Sequence, residues 1–128
     1  MKILGIGVDI IENKRIKKSI KNKNFKERIY SPKELKLSSL STNKIGFFSK
    51  RFAAKEAFAK ALGSGFRNNL NFKDIEVVND KFGKPYYSKN KKIIQIVQKN
   101  FKVKNFNCFL SISDEKDYST AFTIIQTK

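Results

Sequence analysis

A chain of 128 residues, 40% of them hydrophobic, has room for one domain and one core. Its single cysteine, Cys108, excludes an internal disulfide, and the absence of histidine excludes Ser-His-Asp, Cys-His and His-based zinc sites. With 28 Lys and Arg residues against 11 Asp and Glu residues, the net charge of +17 indicates an anionic partner: nucleic acid, a membrane face, a phosphorylated small molecule or an acidic protein.

The chain begins with a pattern typical of a buried strand, which we place at residues 2–10. Asp9 and Glu12 interrupt this apolar run, so it does not resemble a secretory signal. No apolar stretch approaches the roughly 20 residues of a membrane span. We therefore expect a cytoplasmic protein. The next segment, 11–22, is strongly basic and predicts a helix.

Two further helices have recognisable starts. A short helical piece continues over 25–29. Ser31-Pro32-Lys33-Glu34 then predicts a helix start with a capping box, with Ser at the N-cap, Pro at the first helical position and Glu three residues after the cap. After a polar loop at 38–43, Asn43 caps the longest predicted helix, residues 44–62, and Gly63 ends it.

The second half of the chain alternates between strand and helix patterns. We predict strands at 74–79, 86–87, 106–112 and 118–126, with a helix at 90–99. Strands at both ends with helices between them indicate an α+β fold, with a mainly antiparallel sheet and one long packed helix. No repeat or composition break divides the chain, so we expect a single domain over residues 1–128.

Few residues can carry chemistry. Asp9 lies in an apolar run, where an unpaired carboxylate is costly, so it needs a partner such as a hard cation. The alternative, which spacing alone favours, is that Asp9 caps the following helix. Glu56 lies in the middle of the longest helix, four residues before Lys60. Spacing alone favours a surface pair between these two side chains.

Four segments together resemble the holo-acyl-carrier-protein synthase family, the small bacterial type of 4'-phosphopantetheinyl transferase. The most specific is Arg-Phe-Ala-Ala-Lys-Glu-Ala at 51–57, which runs on to Gly63. The others are Gly-Ile-Gly-Val-Asp-Ile at 5–10, the segment from Asp74 to Pro85, and Leu-Ser-Ile-Ser at 110–113. They follow one another in the order and at the spacings of that family, over nearly the whole chain.

The resemblance implies a reaction: transfer of 4'-phosphopantetheine from coenzyme A to a serine of apo acyl carrier protein, in fatty acid biosynthesis. It implies that Asp9 and Glu56 bind Mg²⁺ and that Glu56 and Lys60 are catalytic. It also implies a set of coenzyme A-binding residues: Lys60, Gly63, Gly83, Lys84, Pro85 and Ser113.

By the same resemblance, the basic face docks the acidic carrier protein through Arg15, Lys23 and Arg28, and the family assembles as a homotrimer with active sites between subunits. Opposite charge speeds such an association. One departure stands out: after Leu-Ser-Ile-Ser the family usually has a His, and this chain has Asp114. The general base that accepts the serine proton is therefore either Glu56 or a magnesium-bound water.

A second hypothesis from a different class is a basic nucleic-acid-binding module without enzymatic activity. The net charge of +17 favours it. The Phe residues, however, fall mostly on apolar faces, and no RNP, KH or zinc-finger signature is present.

Overall fold

The two terminal strands lie side by side in the computed structural model, which describes residues 1–128. Strand β1 (Ile3–Glu12) pairs antiparallel with β5 (Tyr118–Thr127), which pairs antiparallel with β4 (Phe106–Asp114) on its other side. A separate hairpin joins β2 (Val77–Asn79) to β3 (Pro85–Tyr87). The predicted α+β fold with a mainly antiparallel sheet is confirmed.

Five α-helices complete the fold: α1 (Asn13–Ser19), α2 (Lys23–Ile29), α3 (Pro32–Ser38), α4 (Lys44–Leu62) and α5 (Lys91–Phe101). The bounds of α4 are those predicted. Asn43 accepts a hydrogen bond from the amide of Gly46, and Gly63 ends the helix in the left-handed region, at a φ of 79°. Ser31 and Glu34 form the capping box predicted for α3. None of the helices has both the length and the apolar character that a membrane crossing requires.

Helix α4 lies against the inner face of the three-stranded sheet and is buried on nearly all sides. Two glycines of β1 permit this close approach. A Cβ atom at Gly7 would collide with the carbonyl oxygen of Ala57, and one at Gly5 with that of Ala61. The backbone of β1 therefore rests directly on α4, which brings the end of the strand close to the middle of the helix.

Two predicted boundaries are wrong for identifiable reasons. The helix predicted at 11–22 begins only at Asn13, because Glu12 still pairs with Tyr118 in the sheet. It ends at Ser19, and Asn22 then caps a separate helix, α2, by accepting from the amide of Phe25.

The strand predicted at 74–79 begins only at Val77. Phe72–Asp74 forms a 3-10 turn. The carbonyl oxygen of Ile75 accepts a hydrogen bond from the buried Lys55 ammonium at 2.7 Å. It is therefore not available to an amide of a neighbouring strand.

Candidate active site

Three predicted site residues, Asp9, Glu56 and Lys60, lie together where β1 packs on α4. The Lys60 ammonium donates to Asp9 Oδ1 at 3.1 Å and to the carbonyl oxygen of Val8 at 3.0 Å. Glu56 precedes Lys60 by one turn of α4, on the same face of the helix. The fold thus brings a strand carboxylate and a helix carboxylate to one place.

The Glu56 carboxylate is half-buried beside a second negative charge. Burial raises the pKa of Glu56, and the charge of Asp9 raises it further, while Lys60 and Arg15 act in the opposite direction. Glu56 takes part in none of the ion pairs of the protein. Two nearby carboxylates with one unpaired member form a place where an additional cation is favourable.

The carboxylate pair fits a magnesium ion that takes only two of its ligands from the protein. No third acidic, histidine or cysteine side chain joins Asp9 and Glu56. Mg²⁺ commonly uses one or two carboxylates and fills its remaining positions with water and substrate phosphates. The donor set therefore suits an ion that acts together with a phosphorylated ligand.

Both alternatives that spacing favoured are wrong. Asp9 does not cap a helix, because β1 continues to Glu12 and α1 starts after it without any side-chain cap. Lys60 pairs with Asp9 and not with Glu56, because β1 lies close enough to α4 to offer its carboxylate to the ammonium. Sequence spacing within one helix could not reveal this partner from another element.

A second group of predicted residues lines a cavity of about 300 Å³ elsewhere on the protein. Gly83 and Pro85 form part of its wall, and Asp114 contributes a carboxylate. The remaining lining residues include two cations, Lys50 and Arg51. Neither Asp9, Glu56 nor Lys60 reaches this cavity.

Arg51 is the cavity residue that sequence reasoning missed. Its guanidinium lies 3.7 Å from the centroid of the Phe47 ring, and its Nη2 donates to Asn79 Oδ1 at 2.7 Å. Its buried Nε has no hydrogen-bond partner. Burial lowers the pKa of Arg51, against the opposing charge of Glu34. A guanidinium held in a fixed position at the wall of a cavity suits phosphate recognition.

The other predicted coenzyme A residues are spread around these two places. Lys84 lies in the β2–β3 turn, where its amide and that of Phe82 donate to Asp80 Oδ1. Gly63 follows Lys60 at the end of α4. Ser113 lies on the exposed face of β4, whereas its neighbour Asp114 lines the cavity.

The predicted docking residues are spread over two helices. Arg15 belongs to α1 and contributes to the potential at Glu56, which places it beside the carboxylate pair. Lys23 and Arg28 belong to α2, where Lys23 pairs with Glu27 at 3.8 Å. Arg28 borders a cavity of about 470 Å³ that is lined in part by Phe66 and Phe72.

A stack of four aromatic rings, which the sequence did not reveal, lies beside this basic face. Phe25 stacks on Phe52, Phe52 on Phe72 and Phe72 on Phe66, with ring centroids 6.4, 5.4 and 4.0 Å apart. Phe52 lies one turn before Glu56 on α4. The stack therefore links α2 of the basic face to the helix that carries Glu56, through partly buried apolar side chains.

Comparison with known proteins agrees with this geometry. A family model described as the 4'-phosphopantetheinyl transferase superfamily matches residues 5–123. The chain belongs to this superfamily. It is 63% identical, over the full length of both chains, to the holo-[acyl-carrier-protein] synthase of Pelagibacter ubique. The resemblance predicted from the four motifs is confirmed.

Solved structures of the superfamily share the fold. The holo-[acyl-carrier-protein] synthase of Neisseria meningitidis has a TM-score of 0.89 at 35% identity, covering 98% of this chain and 100% of that one. The Bacillus anthracis synthase in complex with CoA (3',5'-ADP) has a TM-score of 0.81 at 34% identity, covering 98% of each chain. These similarities favour the transferase hypothesis over the nucleic-acid-binding one.

Proposed function

We propose that this chain, as one domain over residues 1–128, transfers 4'-phosphopantetheine from coenzyme A to a serine of apo acyl carrier protein, for fatty acid biosynthesis. The observation that carries the proposal is the meeting of Asp9, Glu56 and Lys60 in a chain that matches a holo-[acyl-carrier-protein] synthase from end to end. The products are holo carrier protein and adenosine 3',5'-bisphosphate.

The reaction exchanges a phosphoanhydride bond of coenzyme A for a phosphodiester bond to serine. The serine oxygen forms a bond to the phosphorus that carries the pantetheine, and the bond from that phosphorus to the bridging pyrophosphate oxygen breaks. Mg²⁺ held by Asp9 and Glu56 would neutralise charge on the pyrophosphate and the leaving bisphosphate. The serine proton goes to Glu56 or to a water beside it.

We assign the nucleotide end of coenzyme A to the cavity beside the β2–β3 turn. Its lining includes the cations Lys50 and Arg51, which offset the charge of Asp114 and favour phosphate binding. Gly83, Lys84 and Pro85 would serve this end of the ligand, and Lys60 and Gly63 the pyrophosphate end. Ser113, on the exposed face of β4, stays a predicted coenzyme A residue outside this cavity. Arg51 and Lys60 point to opposite sides of α4, since successive residues of a helix advance by about 100°.

A site divided between two sides of one helix is completed when a second subunit supplies one half. We therefore propose a homotrimer with active sites between subunits. The outer face of the three-stranded sheet supports this assembly, because it is apolar and uncovered. Val8 pairs with Phe122 across β1 and β5 on this face, and the face also exposes Ile6, Ile10 and Phe109.

We expect static light scattering to give about three times the chain mass of 14.8 kDa. Val8→Asp places a charge in the centre of the apolar face and should give the mass of one chain, with loss of activity. Leu40→Asp, at an exposed apolar residue outside the sheet, should leave the mass unchanged. A single-chain mass together with full activity would contradict the trimer.

The acidic carrier protein would dock on the face formed by Arg15, Lys23 and Arg28, with its serine directed towards Glu56. Opposite charge accelerates such an encounter and orients the partner. The aromatic stack that begins at Phe25 continues this face with an apolar surface. A cytoplasmic location stays a prediction.

Mass spectrometry of an apo acyl carrier protein tests the proposed reaction. After incubation with the protein, coenzyme A and Mg²⁺, we expect a mass gain of one phosphopantetheine group. EDTA should abolish the gain, and adding Mg²⁺ back should restore it. No gain with several apo carrier proteins would contradict the proposed function and leave the family assignment standing.

A further inference from the structure

Lys60 occupies an unexpected position for a residue assigned to a phosphate. Its ammonium is bonded to Asp9 Oδ1 at 3.1 Å and to the Val8 carbonyl at 3.0 Å. The Lys60 side chain is 54% exposed, whereas that of Asp9 is only 15% exposed. The ammonium therefore lies on the solvent side of a mostly buried carboxylate and contacts its Oδ1.

Lys60 pairs with only one of the two carboxylates near it. Glu56, four residues before Lys60 on the same helix, is the neighbour that helical spacing favours, yet the structure gives it no ion pair. Lys60 thus neutralises one carboxylate of the candidate metal pair and leaves the other open. The lysine stem is flexible and half in water, so the contact is a weak one that a better cation can replace.

We propose that Lys60 is a built-in competitor for the metal site: its ammonium occupies Asp9 and must leave before Asp9 can bind a divalent cation. This inference rests on the proposed function, because it presumes that Asp9 and Glu56 form the metal site. The same displacement releases the Lys60 charge for an anionic ligand. Metal and coenzyme A phosphates therefore strengthen each other's binding through one side chain.

The affinity of the full chain for Mn²⁺ tests the proposal without an activity assay. Electron paramagnetic resonance measures the concentration of free Mn²⁺ during the titration. Lys60→Met keeps most of the side-chain length and removes the charge. We expect it to bind Mn²⁺ about three- to tenfold more tightly than the unmodified protein. Lys60→Arg keeps a cation and should bind as the unmodified protein does.

A matched control separates the local contact from the change in net charge. Lys92 pairs with Asp74 at 2.6 Å and, like Lys60, is partly exposed, but it lies on α5, outside both candidate site groups. Lys92→Met therefore removes the same charge and should leave Mn²⁺ affinity unchanged. An equal gain in Lys92→Met and Lys60→Met would overturn the proposal, because it would reduce the effect to net charge.

Adding adenosine 3',5'-bisphosphate tests the coupling. It should tighten Mn²⁺ binding in the unmodified protein, and the gain should shrink in Lys60→Met. If Mn²⁺ binding requires Glu56 but Lys60→Met binds Mn²⁺ no more tightly than the unmodified protein, the proposed competition is overturned and the proposed metal site stands. If the unmodified protein does not bind Mn²⁺, with or without the bisphosphate, the competition and the metal site are both overturned.

Discussion

Glu56→Gln should lower the rate of phosphopantetheine transfer by on the order of 10³-fold. Gln has nearly the same shape as Glu, but its amide carries no charge and offers one oxygen. The substitution therefore removes the open carboxylate of the pair and leaves Asp9 neutralised by Lys60. The rate of mass gain of apo carrier protein, at saturating coenzyme A and Mg²⁺, measures the effect.

The control for this prediction is Glu115→Gln, an equal chemical change at an exposed carboxylate of the β4–β5 turn that takes part in no ion pair. It should alter transfer by less than about twofold, since Glu115 is none of the proposed metal-binding, coenzyme A-binding or docking residues. Unfolding by urea should be similar for both variants, because Glu56 makes no ion pair that its loss would break. Transfer by Glu56→Gln within tenfold of the unmodified rate would show that Glu56 does not hold the metal.

Local signals made much of the fold accessible from sequence. The cap at Asn43, the glycine at 63 and the capping box at Ser31 are determined by neighbours within a few residues, so the pattern predicted them correctly. The alternation in the last two strands likewise predicted β4 and β5. The end of β1 was missed because its pairing with β5 continues to Glu12, and no local pattern encodes a partner so distant along the chain.

The site was accessible in part, for the same reason. Motifs identified Asp9, Glu56 and Lys60, but the pairing of Lys60 with Asp9 depends on how closely β1 packs on α4. That distance is set by Gly5 and Gly7, whose missing side chains let the strand backbone reach the helix. Arg51 lay inside the most specific motif, yet its role depends on Asn79, which a different element supplies.

A buried ion pair connects α4 to the rest of the protein. Lys55, next to Glu56, donates to Glu34 Oε1 at 2.6 Å, and both side chains are inaccessible to solvent. Its ammonium also donates to the carbonyl oxygens of Phe72 and Ile75. Burial lowers the pKa of Lys55, and the Glu34 charge opposes this effect.

Glu34 holds further groups in place, since it accepts from the amides of Ser31 and Val77. The pair therefore joins α3, α4 and the β2–β3 hairpin at one point. The hairpin carries Asn79, the partner of Arg51, so the same contact fixes the wall of the cavity beside the β2–β3 turn relative to the helix that bears Glu56. Sequence analysis interpreted Glu34 only as a capping residue.

Lys55→Met should lower the free energy of unfolding by about 3–5 kcal/mol, because it leaves the charge of Glu34 buried without a partner. Adding Glu34→Gln should recover part of that loss, since Gln removes the charge and can still accept from a backbone amide. Lys23→Met, in an exposed pair, should change stability by less than about 0.5 kcal/mol. Urea unfolding at one fixed protein concentration measures all three. A loss of stability below about 1 kcal/mol in Lys55→Met would contradict this account, because it would show that the buried charge of Glu34 does not depend on Lys55.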